Sequence, residues 1–114
     1  MRWYRNLYIG EQARKNRYKI VWKVKHRAGT INIYLLILPF NSENTLEIIN
    51  ANYLLQSYYK NKDIKIIGIA YSYEEALTLL TKIVQEVYQK TGNVKIKEYI
   101  IQQQNRRTGN LWQV

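Results

Sequence analysis

Two adjoining segments constrain this chain more than any others: "IKIIGIA" at 64–70 and "YEEALTLLTKIVQEVYQK" at 73–90. The first is a short apolar run rich in β-branched residues, the pattern of a central strand buried on both faces. In the second, Ala76, Leu77, Leu80, Ile83, Val84, Val87 and Tyr88 recur at helical spacing on one stripe. Glu75, Thr78, Lys82, Gln85, Glu86 and Gln89 face away. Ser72 stands at an N-cap position, Glu75 completes an S-x-x-E capping box, and Gly92 supplies a C-terminal stop. A strand that turns tightly into an amphipathic helix commits the chain to an α/β or α+β architecture.

Such a junction can also hold a phosphate, but the residues argue against it here. Gly68 lies inside the strand, and the later glycine positions of a dinucleotide fingerprint hold Ala70 and Tyr73. No Lys-Ser or Lys-Thr pair follows. Glu74 and Glu75 put two negative charges in the first helical turn, where a phosphate would sit. No nucleotide cofactor is expected, and Gly68 reads as a site of close packing between backbone and helix.

The other elements are less sharply written. In "YKIVWKVKH", 18–26, Ile20, Val21, Val24 and Ala28 fit a helical stripe. Alternation fits better, with Tyr18, Ile20, Trp22, Val24 and His26 on one face and lysines on the other. Read as a strand, it turns at "RAGT", 27–30, and pairs with 31–40, placing Val24 opposite Ile33 and Ile20 opposite Ile37. Residues 42–59 read as a helix capped by Ser42 or Asn44, largely buried or broken near Asn50. "NVKIKEYII", 93–101, reads as a last strand, with a turn to helix after Glu98 as the alternative. The expectation is a mixed four-stranded sheet in the order β-β-α-β-α-β: an N-terminal antiparallel hairpin, then two βαβ units with mainly parallel strands. The chain's 114 residues suit one domain. Residues 1–101 form it, opening with a basic aromatic segment, 1–17, that includes a short helix over 11–16. A polar basic tail, 102–114, follows.

Charge is the strongest functional signal. The formal net charge is +10, and it is unevenly spread. Residues 1–27 hold nine bases and one acid, 28–93 five bases and six acids, and 94–114 four bases and one acid. Such asymmetry points to a polyanionic or acidic partner. The candidate nucleic-acid-binding set is Arg14, Arg17, Lys19, Lys23, Lys25, Arg27 and Tyr34, joined by Arg106 and Arg107 from the tail. Cations neutralise phosphates, and tyrosine stacks on unpaired bases. The competing reading is an acidic protein partner anchored by Trp3, Tyr4 and Trp112. An alternating lysine face is also how a solvated edge strand avoids aggregation.

Catalytic chemistry is poorly represented. There is no cysteine, His26 is the only histidine and Asp63 the only aspartate. No thiolate or His-cluster metal site can be assembled. Nothing around Ser42, Ser57 or Ser72 resembles a nucleophile elbow. A restriction-type nuclease needs clustered carboxylates holding Mg²⁺ with a lysine nearby; Asp63-Ile64-Lys65 has a faintly suitable spacing, but no acid lies between Glu11 and Glu43 to complete such a site. A non-enzymatic protein without metal or cofactor is expected. No signal peptide is read at the N-terminus, and the run 31–40 is shorter than the roughly 20 residues of a membrane span. A cytoplasmic protein without membrane association is therefore expected. Through "RNLYIG", "KVKHRAG" and "GIAYSYEEAL", the chain resembles small uncharacterised proteins of Gram-positive bacteria over most of 4–101. That resemblance implies no activity, substrate or site residue.

Overall fold

The computed structural model describes residues 1–29, 32–41 and 43–108, without the side chains of 107 and 108. The fold is α+β, built on a mixed four-stranded sheet. Its strands are β1 (Arg2–Ile9), β2 (Tyr34–Ile37), β3 (Glu47–Asn50) and β4 (Lys65–Ala70). Its helices are α1 (Arg17–Lys25), the single turn α2 (Ser57–Lys60), α3 (Tyr73–Thr91) and α4 (Ile96–Thr108).

The strand order is β1-β4-β2-β3. β4 is central, parallel to β1 and antiparallel to β2, and β2 is antiparallel to β3. Its two-sided burial is what the apolar run required: Ile66 and Ile69 enter one core, Ile67 the other. Helices cover both faces. Ile20 and Val24 of α1 and Ala51 and Leu54 of a 3-10 helix, Ala51–Leu55, close one side. Ile83 and Val87 of α3 and Ile96 and Ile100 of α4 close the other.

Helix α3 follows its capping signals, but its buried face is rotated from the expected stripe: Ala76, Leu79, Ile83 and Val87 are buried, while Leu77 and Tyr88 are 42% and 60% exposed. The Ser72 hydroxyl accepts from the Glu75 amide at 3.0 Å, and Gly92 ends the helix at φ 77°. Gly68 serves close packing as expected: an added Cβ would stand 3.0 Å from Leu36, 3.1 Å from the Tyr8 carbonyl and 3.2 Å from Leu79.

The order of elements differs from the expectation, with an identifiable reason at each place. Residues 2–9 are the parallel edge strand on β4. Between the pairs Trp3–Ile66 and Tyr8–Gly68, β1 advances three residues more than β4. That bulge erases the alternation by which a strand is read. With β4 flanked by β1 and β2, no β4 edge is left for 18–26. The segment becomes helix α1 and satisfies its own backbone, overriding the β-propensity of its residues. The hairpin at 27–30 is absent. In its place Ala28 N donates to the Lys23 carbonyl and Arg27 N to that of Val24, a Schellman end to α1. Thr30 lies outside the described residues.

Residues 42–59 are not one helix but β3, the 3-10 helix and α2 in succession, so their apolar residues face several directions. Ser42 lies outside the described residues. Asn44 does cap a helix, but a distant one: its side chain accepts from Glu98 N of α4 at 2.9 Å. The expected strand at 93–101 is the start of α4, which packs Ile96, Tyr99 and Ile100 on the sheet. The first seven residues of the expected tail continue that helix, and 109–114 lie outside the described residues.

Candidate nucleic-acid interface

The basic residues fall on a helix rather than a strand, which changes which of them share a surface. In α1, Ile20 and Val24 point into the core with Val21 beside them. Tyr18 and Trp22 therefore project outward, 79% and 57% exposed. Lys19 and Lys23, one turn apart, lie beside them on one flank and Lys25 on the other. Arg14 and Lys15 precede the helix and Arg17 opens it. Its guanidinium lies 5.0 Å from the centre of the Tyr18 ring. Trp22 stacks on His26, with centroids 4.3 Å apart and planes 25° apart. The His26 Nδ1 is 2.8 Å from the Trp22 carbonyl oxygen, so as a donor it caps the helix end.

Arg27 holds the left-handed position of the Schellman turn at φ 51°. Its guanidinium donates to the Leu54 carbonyl of the 3-10 helix. This bond joins α1 to a second segment that sequence partitioning had assigned to the near-neutral body. Residues 14–27 and 51–62 together hold nine bases and no acid. The opposite layer, 73–108, holds six bases and four acids.

The structure gathers Arg14, Arg17, Lys19, Lys23, Lys25 and Arg27 around α1. Tyr34 and Arg106 lie elsewhere. Tyr34 sits edge-on to Tyr73 of α3, centroids 6.0 Å apart, on the opposite face of the sheet. Arg106 belongs to α4, and the side chain of Arg107 lies outside the described residues. Sequence reasoning overlooked Tyr18, Trp22, Lys60 and Lys62. The available signal was the acid-free interval from Glu11 to Glu43 together with the "YYKNK" run at 58–62. Of the anchors in the competing reading, Trp3 and Tyr4 are core residues, 4% and 3% exposed, and Trp112 lies outside the described residues.

Three of the acidic side chains, Glu75, Glu86 and Asp63, are engaged elsewhere. Glu75 accepts from the amides of Tyr71 at 2.8 Å and Gln12 at 2.7 Å, so the α3 N-terminus already carries its negative charge. Glu86 accepts from the hydroxyls of Tyr8 at 2.6 Å and Tyr99 at 3.0 Å. Burial, followed by the contact with Glu86, pushes the Tyr8 phenol well above its ordinary range. Asp63 pairs with Lys65 at 2.9 Å and Arg2 at 3.2 Å. The Lys65 hydrogen bond, with the charges of Lys65 and Arg2, holds its carboxyl below the usual value. No cation of 14–27 makes an ion pair among the described residues. Among them also, no group of three or more His, Asp and Glu is placed to hold a metal, and no helix is long and apolar enough to cross a membrane. No protein family, curated protein or solved structure matches the chain.

Proposed function

We propose that this is a small non-catalytic basic domain that binds nucleic acid, mainly through phosphate contacts made by the α1 layer, in the cytoplasm. The observation that carries the reading is the charge partition of the fold: segments 14–27 and 51–62, joined by the Arg27–Leu54 bond, hold nine bases and no acid, whereas 73–108 is mixed. Unpaired lysines and arginines on a single face release counterions when they meet a polyanion, and this dominates non-specific nucleic-acid affinity. Exposed rings among the cations support the same partner.

The test is fluorescence anisotropy of labelled DNA and RNA oligomers at about 50, 150 and 300 mM salt, a range that resolves counterion release. Binding should persist at about 150 mM and fall steeply with salt. Replacing Lys19, Lys23 and Lys25 together by Glu should abolish it while the circular dichroism spectrum stays native. Persistent binding in that variant would remove α1 from the interface. Weak, equal binding to every oligomer at the lowest salt alone would remove the function.

A further inference from the structure

The cationic layer also carries exposed aromatic rings in two groups. One is Trp22 on His26, at the C-terminal end of α1. The other is Phe40 with Tyr58, 40% and 57% exposed, their centroids 6.3 Å apart. Tyr59 supports the second group with its ring 4.9 Å from Tyr58. Lys62 Nζ stands 5.5 Å from the Phe40 centroid and 4.8 Å from that of Tyr58. The bond from Arg27 to the Leu54 carbonyl joins the segments that carry the two groups, and Tyr53 and Leu55 are exposed as well.

Burying these rings on themselves would have removed apolar surface from water. Each group instead stands in solvent beside cations; of the acids that adjoin the second group, Glu47 acts on Tyr59, and Asp63, which lines a depression with Phe40, is paired with Lys65 and Arg2. An acidic protein would satisfy the charge and could bury the rings as anchors, but it offers no regular series of flat faces spaced by charges. A duplex would satisfy the charge while hiding its base faces in the stack. A single strand offers both phosphates and unstacked bases, and aromatic platforms along a cationic groove are how such strands are held without sequence reading.

We infer that this face is the track of a single-stranded nucleic acid, with bases stacking at Trp22–His26 and at Tyr58–Phe40 and phosphates passing Lys23, Arg27 and Lys62. The inference rests on the nucleic-acid reading above and assigns its strand type and path.

The experiment compares a labelled single-stranded oligomer of about 16 nucleotides, its duplex, and a single strand of about 4, the range of site sizes such grooves show. Each is titrated against the wild-type protein, Trp22→Ala, Tyr58→Ala and the double variant. The single 16-mer should bind more tightly than the duplex. Each variant should weaken 16-mer binding about ten-fold, roughly the loss of one stacked base. The 4-mer, too short to reach both platforms, should lose the advantage of spanning them. In the unaltered protein, photo-crosslinking of a 16-mer carrying 5-iodouracil should mark peptides containing Trp22 and Tyr58, which covers a variant that fails to fold.

Equal affinity for duplex and single strand would overturn the inference and leave the phosphate-binding reading standing. So would a Tyr58→Ala variant that binds the 16-mer like wild type, with no crosslink at Tyr58. Absence of binding to every oligomer at about 150 mM salt would overturn both.

Discussion

On one face of the sheet, α3 turns Ile83 and Val87 fully inward and presents a mixed set of charges to solvent, with Tyr73, Leu77 and Tyr88 exposed among them. On the other, the shorter α1 buries only Ile20 and Val24 and leaves Tyr18 and Trp22 outside among uncompensated cations. The first helix is built for the core it covers. The second contributes less to the core and carries an outer surface that folding does not explain. Stability should therefore depend on the α3 face, and binding on the α1 face.

The sharpest way to break this division is to truncate one residue on each side. Ile83 is wholly buried, so Ile83→Ala should cost about 2–5 kcal/mol through lost transfer energy and a cavity. Trp22 removes more atoms when cut to Ala, yet its ring contacts the exposed His26. Its stability change should stay within about 0.5 kcal/mol. Urea unfolding of the two variants decides the matter. A Trp22→Ala loss as large as that of Ile83→Ala would make the Trp22–His26 stack a structural device and end the division.

The same contrast explains what could be read from sequence. For α3, period, N-cap and C-cap glycine agreed on a helix, and the structure reproduces the helix and both caps, though its buried face takes in Leu79 and leaves Leu77 and Tyr88 exposed. The central strand was legible because an apolar run with no alternation has few other uses in a small protein. Helix α1 was not legible, because Tyr18 and Trp22 on its outer side create an alternation that imitates a strand. The feature that hid the helix is the feature that marks the candidate site. The first strand was hidden by its bulge, and 42–59 by three short elements in place of one. The link between 14–27 and 51–62 depends on a tertiary bond, Arg27 to Leu54, that no local pattern encodes.

A smaller effect is expected where the two sides join. Glu75, at the start of α3, bonds Gln12 N in the connection from β1 to α1. Its carboxyl lies against Gly10, where an added Cβ would overlap it. Gly10→Ala should therefore expel the carboxylate from the Tyr71 and Gln12 amides and cost about 1–3 kcal/mol, the range for lost charge-assisted bonds. The Gly10→Ala/Glu75→Ala double variant should be little worse than Glu75→Ala alone, because the first substitution acts through the second residue. Fully additive losses in thermal unfolding would show that the two layers are not joined here.

The finest comparison is between the ends of the two helices. Gly92 and Arg27 follow α3 and α1 in the same left-handed conformation, at φ 77° and 51°. At Gly92 a side chain gains nothing, since an added Cβ meets no atom within 4 Å, and Gly92→Ala should cost about 1–2 kcal/mol in backbone strain. At Arg27 the chain already bears that strain. Arg27→Gly relieves it, loses the bond to the Leu54 carbonyl and loosens the unfolded chain. These terms oppose one another, so the net change in stability should stay within about 1 kcal/mol. Nucleic-acid affinity should nevertheless fall, because the cation that joins the segments bearing the two ring groups is gone. A variant that is more stable and binds normally would show that Arg27 is an ordinary helix end occupied by the wrong residue. One that is equally stable and binds less tightly would tie the strain at this position to the ligand.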